Sequence, residues 1–466
     1  MDSKEELFRR APVKKALATM AVPTIISQVI NLVYSLVDTF FIGRTGNSYM
    51  MAAVTVAFTI FMMNIAFSNL FGVGGGSLIA RLIGKGDREN AEKVCAFSIS
   101  GAILIALLYS LVIGCFMEPI LRRLGASDDT LPYAVDYTLL VVVIGNLPMI
   151  LSATLSHLLR NAGYSKKASM GLGLGSALNI ALDPLFMFVL LPQGKEVFGA
   201  ALATMLSNVV SCVYLLIATG KVSREAPLTL NLLKARNIRK ADVKGLFAVG
   251  VPSLVLTGLF DVANIFLNSL MSVHGDLPLA AMGIVMKAGR LPNAVNLGLC
   301  QGMLPMVAYN YASGDRERMN QVIRVGRRWG LAIAGVSVVL FLLLAEPITR
   351  IFMSTGGTQV ENAVATIGYA VVFLRLQCIA SPMQFLNYHS SYSMQAMGNG
   401  RDTLIHAIAR ELVFYVPFMY LLDALMGENG LALALMAGET CGAVFALYLL
   451  NRFLRKKTAG VTNKAE

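Results

Sequence analysis

The strongest constraint on this chain is a succession of apolar stretches, each close to the length that crosses a bilayer. They lie near residues 16–42, 51–80, 94–116, 132–158, 168–191 and 199–219, then near 245–273, 279–311, 329–345, 363–392, 403–425 and 430–450. A helix needs about 20 residues to span about 30 Å of hydrocarbon. Backbone polar groups in lipid must be satisfied internally, which leaves helices or closed barrels, and these stretches are far too long for barrel strands. Composition agrees: 56% of residues are hydrophobic and 14% charged, against roughly 25% charged in soluble domains. The expected fold is an all-α membrane protein with twelve transmembrane helices.

A net charge of +12 invites a nucleic-acid reading, and the placement of the charges answers it. With the N-terminus on the cytoplasmic side of twelve spans, 30 of the 39 Lys and Arg fall on cytoplasmic segments, five on the opposite side (Arg44, Arg122, Arg123, Lys195, Arg350) and four inside spans (Lys287, Arg290, Arg375, Arg410). This bias is the positive-inside pattern of a multi-pass cell-membrane protein and puts both termini in the cytoplasm. The basic surface then meets anionic lipid, not nucleic acid. The opening MDSKEELFRR is not expected to be a cleavable signal; the first span serves for insertion. The six cysteines (95, 115, 212, 300, 378, 441) lie in or beside spans without paired spacing, and read as small apolar residues.

The chain repeats itself. AVPTIISQ (21–28) returns as GVPSLVLT (250–257), and Gly46 as Gly275, both offset by 229. GKGDRENAEKV (84–94) returns as ASGDRERMNQV (312–322), and EPILRR (118–123) as EPITRI (346–351), both offset by 228. DPLFM (183–187) pairs with VPFMY (416–420) at 233. A near-constant offset implies two homologous six-helix lobes, residues 1–219 and 245–466, joined by a basic linker, 220–244. An even number of helices per half makes the repeats parallel, related about the membrane normal, with a substrate site in the cleft between them.

Acids inside spans are costly and usually functional. Helix 1 carries Gln28, Asn31, Ser35 and Asp38, which fall within an arc of about 80° at about 100° per residue. Helix 5 carries Asn179 and Asp183 one turn apart, and Pro184 frees a carbonyl one turn earlier. Helix 6 places Ala200 and Thr204 one turn apart, and Tyr137 stands in helix 4. At about 1.5 Å per residue, Asp38, Tyr137, Asp183 and Thr204 sit roughly 6–12 Å below the outer boundary. Such an oxygen set suits a hard cation or a shared proton: Na⁺ at Asp38, Asn179, Asp183 and Thr204, or H⁺ on the acids. The alternative is a pair of packing acids satisfied by neighbouring amides and hydroxyls.

Elsewhere the plainer readings prevail. Asp261 is expected to pair with Lys287 or Arg290, Arg410 with Glu411 is expected to be structural, and Glu439 and the four histidines carry no assigned role. GVGGGS (72–77) lacks the strand and lysine of a phosphate loop; with CQGMLP (300–305) it reads as close helix packing through small residues. No Walker, HExxH or nucleophile-elbow motif appears, so no enzyme activity and no cofactor are expected. The cleft is expected to be lined by Gln28, Asn31, Tyr34, Asn264, Met286, Gln301 and Met303, an apolar cavity with a few polar anchors.

Taken together, VDTFFIG around Asp38, NLFGVGGGSLIARLIGKGD, LNIALDPLFMF around Asp183, GAALAT and GLCQGMLPMVAYNY resemble the multidrug and toxic compound extrusion (MATE) transporters, in particular their MepA-like branch, across nearly the whole chain. The resemblance implies a V-shaped pair of six-helix lobes and drug/cation antiport, with Asp38, Asn179, Asp183, the Ala200 carbonyl, Thr204 and Tyr137 at the N-lobe ion site. The repeat does not duplicate that site, because the counterparts of Asp38 and Asp183 are Leu267 and Val416. The expectation is a monomeric efflux transporter that exchanges H⁺ or Na⁺ for drugs and organic cations by alternating access. The rival reading is a flippase of lipid-linked sugars; such proteins commonly have fourteen spans or a strongly cationic cavity.

Overall fold

The computed structural model describes residues 3–353 and 360–462. A short helix, Ser3–Arg9, leads into α1 (Val13–Gly43), α2 (Ser48–Gly84) and α3 (Arg88–Cys115). Next comes α4, whose first part (Leu131–Thr138) passes through a π segment (Leu139–Ile144) into Asn146–Asn161. Then α5 (Ser165–Leu185, with a π segment Phe186–Leu190) and α6 (Glu196–Val222) complete the first set. The second set begins with α7 (Lys240–Val273), α8 (Asp276–Ser313) and α9 (Arg316–Leu343). In α10, Val360–Cys378 is followed by Ser381–Ala396. In α11, Gly400–Ile408 passes through a π segment (Ala409–Tyr415) into Val416–Met426, and α12 is Glu428–Thr462. Among the described residues, nine of these helices are long and apolar enough to span, and α4 and α10 join them as pairs bent by 49° and 46°. The twelfth, α8, is less apolar because Lys287, Arg290, Asn293, Asn296 and Gln301 interrupt it.

Local sequence explains the breaks. In α4 the Gly145 N–H reaches the Leu140 carbonyl at 2.8 Å, five residues back, and a side chain at 145 would strike that carbonyl. In α5, Pro184 removes a donor, and the helix widens directly after it. The repeated GD turns are capping units. Gly86 and Gly314 adopt φ of +75° and +87°, and Asp87 and Asp315 then accept the backbone N–H of Asn90 and Arg318. The short helices Met117–Arg123 and Ala345–Met353 each carry one Glu-to-Arg pair, Glu118–Arg122 and Glu346–Arg350, at matching repeat positions.

The two lobes meet along a seam in the halves of α1, α2, α7 and α8 nearest the basic face. A Cβ on Gly74 would lie 2.6 Å from the Leu246 carbonyl oxygen and 2.9 Å from Gly250 Cα. One on Gly302 would lie 2.5 Å from Ala21 Cα. Gly74 and Gly302 are repeat mates, as are Ala21 and Gly250, so one contact is made twice about a pseudo-two-fold axis. Small residues at GVGGGS and CQGMLP therefore serve backbone-to-backbone packing. Each lobe also holds a terminal segment. Arg318 donates to the carbonyls of Leu7, Phe8 and Ala11, and the linker packs Ala226, Leu228 and Ile238 on the N-lobe, with Lys234 on Glu92 and Arg239 bridging Asp87 and Asp242. Outward, α3 exposes Leu104, Leu107, Leu108 and Leu111, and α9 exposes Val336, Val339, Leu340 and Leu343, both at i, i+3, i+4, i+7 spacing. These stripes suit hydrocarbon, and the chain is a multi-pass membrane protein.

Candidate ion-coupling site and cleft

The structure brings the N-lobe oxygen set together from four helices. Asp183, Asn179, Thr204, Tyr137 and Ala200 are all buried. With its amide turned so that both ends are satisfied, Asn179 donates to Asp183 Oδ2 at 2.9 Å and accepts from the Thr204 N–H at 3.1 Å and its hydroxyl at 3.2 Å. Asp38 joins them on α1, and its Oδ1 is buried without a hydrogen-bond partner among the described residues. Tyr34 and Tyr137 stand within electrostatic range of both Asp38 and Asp183, and Tyr34 also engages Thr204. Tyr34, expected on the cleft wall, thus belongs to the carboxylate cluster. The phase of α1 explains this, since residues 34 and 38 are one turn apart.

The remaining cleft residues separate into three groups. Asn31 is exposed, and Asn264 and Met286 are half-buried, Met286 against the core near Met282 and Phe373. Gln28 and Gln301 do not line open space: Gln28 Nε2 donates to Gln301 Oε1 at 3.0 Å across the seam. Met303 is a correction. It is 1% exposed, packed with Leu17, Met20 and Phe385, and its sulfur fills the gap left by Gly326. Two residues beyond Gln301 is about 200° round the helix, which turns Met303 away from the Gln28 contact and toward Gly326 on α9. Lys287 and Arg290, by contrast, lie eleven residues before Gly298 and Gln301, almost in phase with them, and both are exposed. The side chain of Asp261 lies outside the described residues.

Sequence reasoning missed Arg160. Counted there among loop charges, it is 2% exposed at the end of α4 and donates to Gln301 Oε1 at 3.0 Å and to Ser156 Oγ at 3.4 Å. Its Nε has no hydrogen-bond partner. Together Gln28, Arg160 and Gln301 form a polar knot where the lobes close. A charge count by segment cannot see it, because α4 runs on to Asn161 and carries Arg160 into the seam.

Known proteins give the same picture. The MatE family model matches residues 23–185 and again 252–421, so one model covers both halves. The chain is 28% identical over 443 residues to the multidrug export protein MepA of Staphylococcus saprophyticus, covering 95% of this chain and 94% of that protein. The figures are the same for MepA of Staphylococcus aureus. Among solved structures it is similar to an outward-facing multidrug resistance MATE transporter of the MOP superfamily, with a TM-score of 0.89, 26% identity and coverage of 97% and 98%. A MATE protein in complex with MaL6 superposes with a TM-score of 0.91 at 25% identity, covering 98% of this chain and 100% of that one. The twice-matched family model, the twelve-helix pair of lobes and the full-length MepA relatives establish that this chain belongs to the MATE transporter family.

Proposed function

We propose that the protein is a secondary multidrug exporter that exchanges H⁺ or Na⁺ for cationic amphipathic molecules. The observation that carries this is Asp38 Oδ1, a buried carboxylate oxygen with no hydrogen-bond donor among the described residues, beside Asp183 on a neighbouring helix. A carboxylate in low dielectric must be met by a cation or cancelled by a proton, and two close together strengthen the demand. Asn179, Thr204 and the Ala200 carbonyl would complete an oxygen shell for Na⁺; the same acids would share a proton. The MepA relatives are named as multidrug export proteins, which supports drugs as the cargo. With the basic face cytoplasmic, the seam closes the inner end and the cleft opens outward, the state in which an outer cation reaches Asp38. Its binding lets α1 repack, with Pro23 as a hinge, and cargo leaves.

The test is counterflow of a fluorescent cationic dye in proteoliposomes, with Na⁺ and pH gradients imposed separately. Dye moved by either gradient supports exchange and names the ion. If neither gradient drives dye against its own, the proposal fails.

A further inference from the structure

The C-lobe holds a second group of buried charges, built on different helices from the first. Arg410 and Glu411 lie in the π segment of α11 and Glu439 faces them from α12, at 3%, 2% and 4% exposure. Glu439 meets one edge of the guanidinium with both oxygens, Arg410 Nη2 at 2.5 Å from Oε1 and Nε at 3.0 Å from Oε2. Asn387 on α10 adds a third bond, Nδ2 to Glu439 Oε2 at 2.6 Å. That fixes the amide: Asn387 Oδ1 must accept, and His406 Nε2 at 2.9 Å supplies the proton. With Nε2 carrying its single proton, His406 Nδ1 can accept from the Ser391 hydroxyl at 2.8 Å, and the chain is satisfied by a neutral imidazole.

One guanidinium therefore faces two carboxylates, and the hydrogen bonds it makes to them both go to Glu439. Glu411 Oε1 is buried and accepts no hydrogen bond from the described residues. Its nearest cation is Arg410 Nε at 3.5 Å, a nitrogen whose single N–H is already given to Glu439. Among the described residues, two phenols stand beside this group: Tyr388 on α10, with the guanidinium 5.0 Å over its ring, and Tyr415 on α11. Helix α7 also packs on this segment. Gly400 sits on the Ala248 carbonyl, and from that register Asp261 is level with the π segment, its side chain outside the described residues. A carboxylate in excess over its cations, with a buried oxygen that no donor meets, is relieved by taking up a proton. A metal ion does not suit the place, because the guanidinium already stands between the two carboxylates.

We propose that Glu411 is a second proton-binding site, holding one proton on its carboxyl group at neutral pH. The π segment fits this role, since widening the helix turns the adjacent residues Arg410 and Glu411 both inward, and such segments recur at functional positions. The repeat does not explain it: the N-lobe acids have Leu267 and Val416 as their counterparts, whereas this group draws on α10, α11 and α12. Losing the proton would set Glu411 against Glu439 for Arg410, and so would couple protonation to the packing of α11 on α12.

The test needs no transport, so it stands apart from the exchange reading. The full-length Asp38→Asn/Asp183→Asn protein in lipid bilayers silences the N-lobe acids. Infrared difference spectra between acid and alkaline buffer should still show the C=O band of a protonated carboxyl at neutral pH. The band should shift in protein labelled with ¹³C-glutamate but not with ¹³C-aspartate, and should be lost on adding Glu411→Gln. Absence of the band, a shift with labelled aspartate only, or a band that survives Glu411→Gln would each overturn the proposal. Should Glu411→Gln fail to fold, the labelling result decides alone: no shift with glutamate overturns it.

Discussion

Gly302→Ala is the smallest change that addresses the seam. The added methyl would lie 2.5 Å from Ala21 Cα, 2.8 Å from its N and 3.0 Å from its Cβ, where ordinary contact begins at 3.4 Å. The obstacle is backbone, which cannot swing aside as a side chain can, so α1 and α8 must part by about 0.9 Å, the difference between contact and the Ala21 Cα distance. Overpacking of this kind costs about 1–3 kcal/mol, which is roughly 5- to 150-fold against the closed seam. Gly283 and Gly289 on the same helix are matched controls, because a Cβ there meets nothing within 4 Å. Alanine at either should be neutral, or stabilising by about 0.5–1 kcal/mol through helix propensity. The assay is formation of a disulfide between cysteines placed across the seam, with thermal unfolding in parallel. Gly302→Ala should slow cross-linking and lower the melting temperature, and Gly74→Ala should do the same through Gly250. If Gly302→Ala matches its controls in both measurements, backbone contact is not what closes the lobes.

Three further outcomes follow from other parts of the molecule. Asp38→Asn keeps the shape but removes the charge; dye efflux per folded molecule should be lost with expression and dye binding retained, whereas a packing role would lower stability and spare efflux. Gln301→Leu removes the acceptor of the buried Arg160 and should cost about 1–3 kcal/mol in thermal stability, with little recovered by salt. Asp87→Ala removes the cap of α3 and should cost about 1 kcal/mol. Burial pushes the Asp87 carboxyl up, but hydrogen bonds from Asn90 and the Arg239 guanidinium hold it below its ordinary value. Its stabilisation is then full above the unfolded carboxylate range and fades as pH falls, and Asp87→Ala should flatten that acid limb of stability against pH.

Where the physics was one-dimensional, the sequence was a good guide. Span number follows from hydropathy, and the repeat follows from an offset that local features such as the Gly86–Asp87 and Gly314–Asp315 turns keep in step. The gathering of Asp38, Asn179, Asp183 and Thr204 was legible because helix phase and depth can both be counted along a chain. Met303 was misplaced for want of that same counting, assigned to the cleft although its phase turns it elsewhere. Arg160 and the Arg410–Glu411–Glu439 group were beyond reach for another reason. Whether a charge near a span end is in water or in a seam, and which of two acids holds one arginine, depends on partners on other helices, as Gln301 is to Arg160, 141 residues away.

The doubled seam has a consequence for ancestry. A contact in which Gly74 meets Gly250 while Gly302 meets Ala21 is what two identical six-helix chains would make on pairing as a homodimer, inserted in the same direction. Joining them through residues 223–239 adds no new surface to the seam; it replaces an encounter by a tether, and so removes the dependence of pairing on concentration. Once fused, each half can drift chemically without its twin following. Acids stand at 38 and 183 in one lobe, and an arginine between two glutamates in the other, while the joint on which both must turn keeps its original symmetry.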